Sequence, residues 1–229
     1  MKLAVRGKQK SYSEDNIFWV TMADLLLGLA IIFITLFVLA MTGFSQQTIQ
    51  QQKVKMEVAE KIAEELKKNN IDVDIDKMTG DLKISDVELF ELNSYVLSSN
   101  GKKLLNKLAP IYINTIFSDK QLADQIQYIR VQGHTDSQTF SGVNSKNEQF
   151  LRNMELSTKR ANSVTEYIFR TNYNKEYTED FRQLLVVEGR SFNDPVIIDG
   201  KEDFDKSRRV ELKLQVKDWD VTKALGLKK

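Results

Sequence analysis

There is no cysteine among the 229 residues. That excludes disulfides, thiol nucleophiles and cysteine-built zinc sites, and it leaves the compartment open. An excess of either charge is also lacking: 33 Lys and Arg stand against 32 Asp and Glu, for a net charge of +1. So balanced a chain has no general attraction for polyanions, and nucleic acid is not an expected partner. Histidine occurs once, as His134. No second histidine and no carboxylate cluster is spaced to make it a metal ligand or a catalytic base, so it reads as structural. No nucleophile–base pair and no phosphate loop can be assembled. The chain therefore reads as a non-enzyme with no cofactor.

Charge is scarcest in residues 17–44, where Asp24 is the only side chain that can ionise. A bilayer-spanning helix needs about 20 mostly apolar residues at ~1.5 Å rise each, and this run supplies them. It is longer than the roughly 7–15 apolar residues of a signal peptide and no small-x-small cleavage site stands out at its end, so it reads as an uncleaved signal-anchor. Lys2, Arg6, Lys8 and Lys10 precede it, and the next basic residue is Lys53. The positive-inside rule places residues 1–16 in the cytoplasm and the rest beyond the membrane. A carboxylate within a spanning helix costs on the order of 3 kcal/mol, and chains that keep one most often use it in an ion or proton pathway. Asp24 is the candidate ion carrier, for H+ or Na+. Thr21, Gly28 and Thr35 fall on its helical face and are the pore-facing candidates. A stripe of small and polar residues faces protein rather than lipid, which implies a membrane partner.

The chain divides into a cytoplasmic tail (1–16), the span (17–44), a helical linker (45–70), a folded domain (71–217) and a tail (218–229) in which residues 221–227 read as a short helix. The linker carries a narrow apolar stripe, Val54, Val58, Ile62 and Leu66. Such a stripe either packs on the domain or pairs with a second copy, and pairing is the favoured expectation. In the domain, Ile71, Val73 and Ile75 alternate with aspartates, and Leu82 and Ile84 return after Thr79-Gly80-Asp81, which predicts a hairpin. Further strands are predicted at 126–132, 184–188 and 210–216. Helices are predicted at 102–117, with a kink or break at Pro110, and at 151–169. This order predicts an α+β domain, a mixed sheet with helices packed on one face.

Three stretches carry specific chemistry: Gly133-His-Thr-Asp-Ser137, then Asn153-Met-Glu-Leu-Ser-Thr-Lys-Arg-Ala161, then Ser207-Arg-Arg-Val-Glu211. Asp136 at a strand end can accept from an ammonium, and Arg160 can grip a carboxylate with its planar fork. An N-terminal helical turn near Asn153 and Ser157 adds free N–H groups that favour an anion. Together these suit a small zwitterion. Arg208 and Arg209 alone would read as a solvated strand edge; beside the other two motifs, Arg208 becomes a site residue.

These motifs, spread over residues 71–216, resemble the OmpA-like peptidoglycan-binding domain. The resemblance implies that Asp136 and Arg160 clamp the diaminopimelate of a peptide stem. It implies that Asn153 and Arg208 line the pocket, with Thr135 and Ser157 beside them. Two features depart from the family pattern: a longer loop after Asp136, containing 141–147, and Ser207 where asparagine is usual. The stretch Phe18-Trp-Val-Thr-Met-Ala-Asp24-Leu-Leu before such a domain is similar to the MotB family of stator subunits. That family places a B-subunit dimer inside five MotA-like subunits, couples ion passage at the aspartate to rotation, and anchors the dimer to the cell wall. The short linker resembles the ZorB subunits of the Zorya anti-phage system, whose ZorA-like partner takes the MotA role. The expected location is the bacterial inner membrane, with the C-terminal domain periplasmic. A flagellar MotB-like stator and a passive membrane-to-wall tether are the alternatives. TolR- or ExbD-like transducers lack these soluble-domain motifs.

Overall fold

A computed structural model describes residues 8–91, 94–139, 142–143 and 145–217. The expected short helix at 221–227 lies outside these. The chain forms two units, one holding the helical residues up to Ile49 and the other beginning at Gln50.

In the first unit the chain is helical throughout, as part of α1 (Lys8–Lys68). It includes a helix long and apolar enough to cross a membrane. Its large side chains from Ile17 to Phe44, such as Leu25 and Phe37, are exposed, as lipid-facing residues would be.

The second unit is the α+β domain. In chain order it contains the C-terminal part of α1, β1 (Asp74–Ile75), β2 (Leu82–Ser85), α2 (Asp86–Leu89), α3 (Ser99–Ser118), α4 (Lys120–Ala123) and β3 (Ile126–Gly133). Then come α5 (Lys146–Arg170), a 3-10 turn (Lys175–Tyr177), α6 (Thr178–Leu184), β4 (Leu185–Gly189), β5 (Ile197–Ile198), β6 (Lys201–Glu202), α7 (Phe204–Ser207) and β7 (Arg209–Val216). The main sheet has the order β1-β2-β7-β3-β4, antiparallel except for the parallel β3–β4 pair. Alternation explains its two faces. Ile129, Val131, Val210, Leu212 and Leu214 enter the core with Leu105, Ile113, Ala161 and Val164 of α3 and α5. On the other face Arg130 reaches Glu188 at 2.8 Å and Gln215 at 2.6 Å, and Gln132 reaches Glu188 at 2.7 Å. The expected mixed sheet with helices on one face is what forms.

Three expectations change. The stripe Val54, Val58, Ile62 and Leu66 is not left for a second copy: all four are buried in the same core as the sheet. Lys61 ties this part of α1 to Asp119 at 2.9 Å. Burying four aliphatic side chains at up to ~2–3 kcal/mol each favours the domain over an isolated helix. Secondly, α3 runs through Pro110 without a break. Leu105, Leu108, Ala109, Tyr112 and Ile113, all buried, hold both sides of the proline on the core, which outweighs one lost backbone bond. Thirdly, α5 begins at Lys146 rather than Leu151. Ser145 caps it, its Oγ accepting from the Glu148 N–H at 3.1 Å, the first half of a capping box.

Candidate functional site

Strand pairing brings the three motifs to one end of the sheet. β7 is central, with β2 on one side and β3 on the other. Ser85 pairs with Arg209 and Gly133 with Val210. Backbone bonds extend the register past the strand ends. The Asp86 N–H donates to Arg208 O at 3.0 Å, and the His134 N–H donates to Arg209 O at 2.9 Å. So the residues that follow β2, precede β7 and follow β3 converge: Asp86, Arg208 and Asp136.

Helix α5 comes down over this end because two glycines let it. A Cβ on Gly133 would lie 2.0 Å from the Ser157 carbonyl oxygen, and one on Gly189 would lie 2.1 Å from Thr158 Oγ1. No side chain fits at either place. This close approach brings Arg160 to the pocket.

Four charged groups alternate there. Arg160, 3% exposed, has Nη2 3.0 Å from each Asp86 oxygen, and its Nε donates to Ser94 O at 3.0 Å. Its guanidinium carbon is 5.3 Å from the Phe90 ring centroid. Asp86 lies 3.9 Å from Arg208 Nε, and Arg208 Nη1 donates to Asp136 Oδ2. Arg208 also pairs with exposed Asp205. Asp136 Oδ1 accepts from the Gln138 N–H at 3.2 Å. Burial raises the Asp86 pKa above the usual carboxylate range and lowers that of Arg160, each partly offset by the other's charge. Burial also works against Arg208, but Asp136, Asp205 and Asp86 together outweigh it and raise the Arg208 pKa.

Asp136, Arg160 and Arg208 thus meet as the motifs suggested, while the other residues take different parts. Asn153, 2% exposed, donates through Nδ2 to Gln149 O at 3.0 Å. Ser157 is fully buried; its Oγ donates to Met154 O at 3.0 Å and accepts from the Ser191 N–H at 3.1 Å. Both sit well inside α5, so the expected free N–H groups of a helix start are not at these residues: the helix begins at Lys146. Thr135 is buried, and its N–H donates to Ser191 O at 2.9 Å. Ser207 is not at the pocket rim but fully buried, with Oγ accepting from the Val196 N–H at 3.0 Å. Arg209 is structural: it bonds Glu211 at 2.5 Å and the carbonyls of Asp194 and Ser207 at 3.2 and 3.0 Å. Buried His134 has Nε2 3.5 Å from Glu211 Oε2, within ion-pair reach but outside hydrogen-bond geometry. Burial holds it below its ordinary range.

Two further residues at this end, Asp86 and Glu202, lie outside the three motifs. Glu202 carries the β5–β6 hairpin onto the loop after Asp136, accepting from Ser137 N–H at 3.2 Å and from the Ser137 hydroxyl. Asp199-Gly200, both at positive φ, is the sequence signal for that hairpin. Asp86 has no comparable local signal.

In the first unit, Asp24 and Thr35 are exposed on the helix. The Thr21 hydroxyl donates to Phe18 O at 2.8 Å and that of Thr35 to Ile31 O at 2.8 Å, so each is satisfied within its own helix. A Cβ on Gly28 would meet nothing within 4 Å.

Comparison with known proteins agrees with this architecture. A model of the OmpA family matches residues 89–209, just over half of the chain. A Zorya protein ZorB from Escherichia coli (Crooks strain) is 27% identical over 222 residues, covering 91% of this chain and 92% of the relative. A second Zorya protein ZorB, from Escherichia coli O139:H28, is 25% identical over 221 residues, covering 91% and 84%. A putative MotB-like protein from Desulfovibrio vulgaris shares the fold at 18% identity and a TM-score of 0.51, covering 74% of this chain and 96% of that one. The chain belongs to the OmpA family and is similar to Zorya ZorB proteins along nearly its whole length.

Proposed function

We propose that this chain is the B subunit of an ion-driven rotary membrane motor, held to the cell wall by its C-terminal domain and serving anti-phage defence. The observation that carries the anchoring half is the pocket itself. Two carboxylates and two guanidiniums stand buried or half-buried in alternation at one sheet end. Such a set is matched by a ligand end that bears both an ammonium and a carboxylate, and in peptidoglycan the side chain of diaminopimelate is one. In this reading Asp136 receives the ammonium and Arg160 the carboxylate, with Arg208 at the rim. Asn153, Thr135 and Ser157 hold these groups in place rather than touching the ligand.

Asp24 carries the other half. It is the only ionisable residue between Ile17 and Phe44. A proton or sodium ion crossing the membrane releases about 2.3 kcal/mol per 100 mV. Neutralising and recharging one carboxylate in an apolar span is a direct way to turn that energy into movement of surrounding subunits. The proposed assembly is a homodimer of this chain inside five copies of a ZorA-like, MotA-type partner. Thr21, Gly28 and Thr35 face the partner on the Asp24 side, and the domain lies in the periplasm.

Full-length protein in detergent, incubated with insoluble peptidoglycan and sedimented, tests the anchor. Asp136→Ala should leave most of the protein in the supernatant, and undiminished sedimentation would move the site elsewhere. A passive tether makes the same demand on the pocket and none on Asp24, so Asp24→Asn separates the two readings.

A further inference from the structure

Asp86 belongs to none of the three motifs, yet its carboxylate lies against the Arg160 guanidinium. Its two oxygens lie 3.0 Å from Arg160 Nη2, and it is only 8% exposed. The groups facing it from the elements around it are Arg160 of α5, Arg208 ahead of β7 and Asp136 after β3, the last as a like charge. A ligand carboxylate therefore does not enter an empty guanidinium fork. To take Nη2 it must displace a carboxylate that is already there, and that carboxylate is then left in the interior.

We propose that Asp86 is a specificity-determining residue of the pocket: it makes carboxylate binding an exchange that is favourable only when the ligand also brings an ammonium group. This rests on the peptidoglycan reading above. The physical reason is the cost of a buried, unpaired charge. A ligand with a carboxylate alone takes Arg160 and leaves Asp86 beside the like charge of Asp136, with only Arg208, 3.9 Å away and already paired with Asp136 and Asp205, to offset it. A ligand with both groups supplies a cation to the pair of carboxylates as it takes the guanidinium. The pocket residues carry two positive and two negative charges, and a zwitterion brings the total to three of each, so it leaves no charge uncompensated. Asp86 thereby rejects simple carboxylates, which any exposed arginine would bind, without touching the bond that Asp136 makes.

The test compares two soluble probes by isothermal titration against full-length protein in detergent. One is the tripeptide stem ending in meso-diaminopimelate. The other is the same tripeptide acetylated on the free amino group of that residue. Wild type should prefer the free amine by about tenfold or more, the worth of one charged hydrogen-bonded pair. Asp86→Asn frees Arg160, so the acetylated probe should gain affinity and the preference should shrink by about threefold or more, what remains being the ammonium's bond to Asp136, while the free-amine probe still binds. An unchanged preference in Asp86→Asn, or an equal loss of both probes, would overturn the proposal and leave the binding site standing. Failure of wild type to bind either probe would overturn the peptidoglycan reading itself, and this proposal with it. A measurement on wild type alone covers the case of a misfolded variant. Because burial raises the pKa of Asp86, acidification moves it toward its neutral form, which no longer competes for Arg160, so the wild-type preference should narrow as the pH is lowered; a preference that widens would contradict the role given to Asp86.

Discussion

Arg160 does two jobs at once, and substitutions separate them. Arg160→Lys keeps the charge but loses the planar fork that holds Asp86 and Ser94 together. Peptidoglycan sedimentation should fall by about tenfold with a small change in urea midpoint. Arg160→Ala strands Asp86 and should cost about 3 kcal/mol of stability as well. His134 gives a pH prediction. Its pKa lies below the ordinary 6.5 because burial disfavours the imidazolium. A depressed folded pKa means that its stabilising effect is complete above 6.5 and is lost as pH falls from there toward the folded value. Glu211 acts in the same direction lower down. Burial alone would raise its pKa, but the cations Lys213 and Arg209 beside it hold it well below the ordinary 4.5. Thermal midpoints should therefore drop on acidification below about pH 6.5, and His134→Gln should flatten the first part of that limb; an identical limb in the variant would show that His134 does not titrate on unfolding. At this scale the sequence was legible where a motif concentrates the chemistry, as in Asp136 and Arg160. It was silent on Asp86, whose partner Arg160 lies 74 residues away and is brought to it by the packing of α5, while the β2–β7 pairing sets Arg208 beside it.

Elements decide how close those residues come. Gly133 and Gly189 permit α5 to lie against the ends of β3 and β4. Gly133→Ala would push a methyl group into the Ser157 carbonyl and should cost about 3 kcal/mol, with loss of peptidoglycan binding as α5 lifts. An unfolding midpoint within error of wild type would mean that the helix shifts freely. Helix and strand periodicity made the main elements legible, since β3, β4, β7, α3 and α5 all carry strong patterns. The start of α5 was missed because Leu151 is its first large aliphatic residue, although Ser145-x-x-Glu148 marks the true cap. The destination of the stripe at 54–66 was not legible: a narrow apolar face looks the same whether a sheet or a second helix covers it. In the structure it is core, so Ile62→Ala, at a fully buried position, should destabilise the domain by about 3 kcal/mol in urea unfolding. A change confined to oligomeric state would instead support helix pairing.

At the scale of the whole molecule, one apolar helix with a single carboxylate and one OmpA-family domain with a charge-alternating pocket occur in one chain. Each half was legible in sequence because each depends on local signals: an uninterrupted apolar run in one, three spaced motifs in the other. The number of copies and the partner surface were not, because they depend on residues of another chain. The proposal that joins the halves is that the carboxylate at position 24 does the motor's work while the domain holds the wall. The most direct measurement is phage plating on the native host, comparing wild type with Asp24→Asn after confirming that the variant still sediments with peptidoglycan. The account predicts intact wall binding with loss of protection in the variant. Full protection by Asp24→Asn would contradict it.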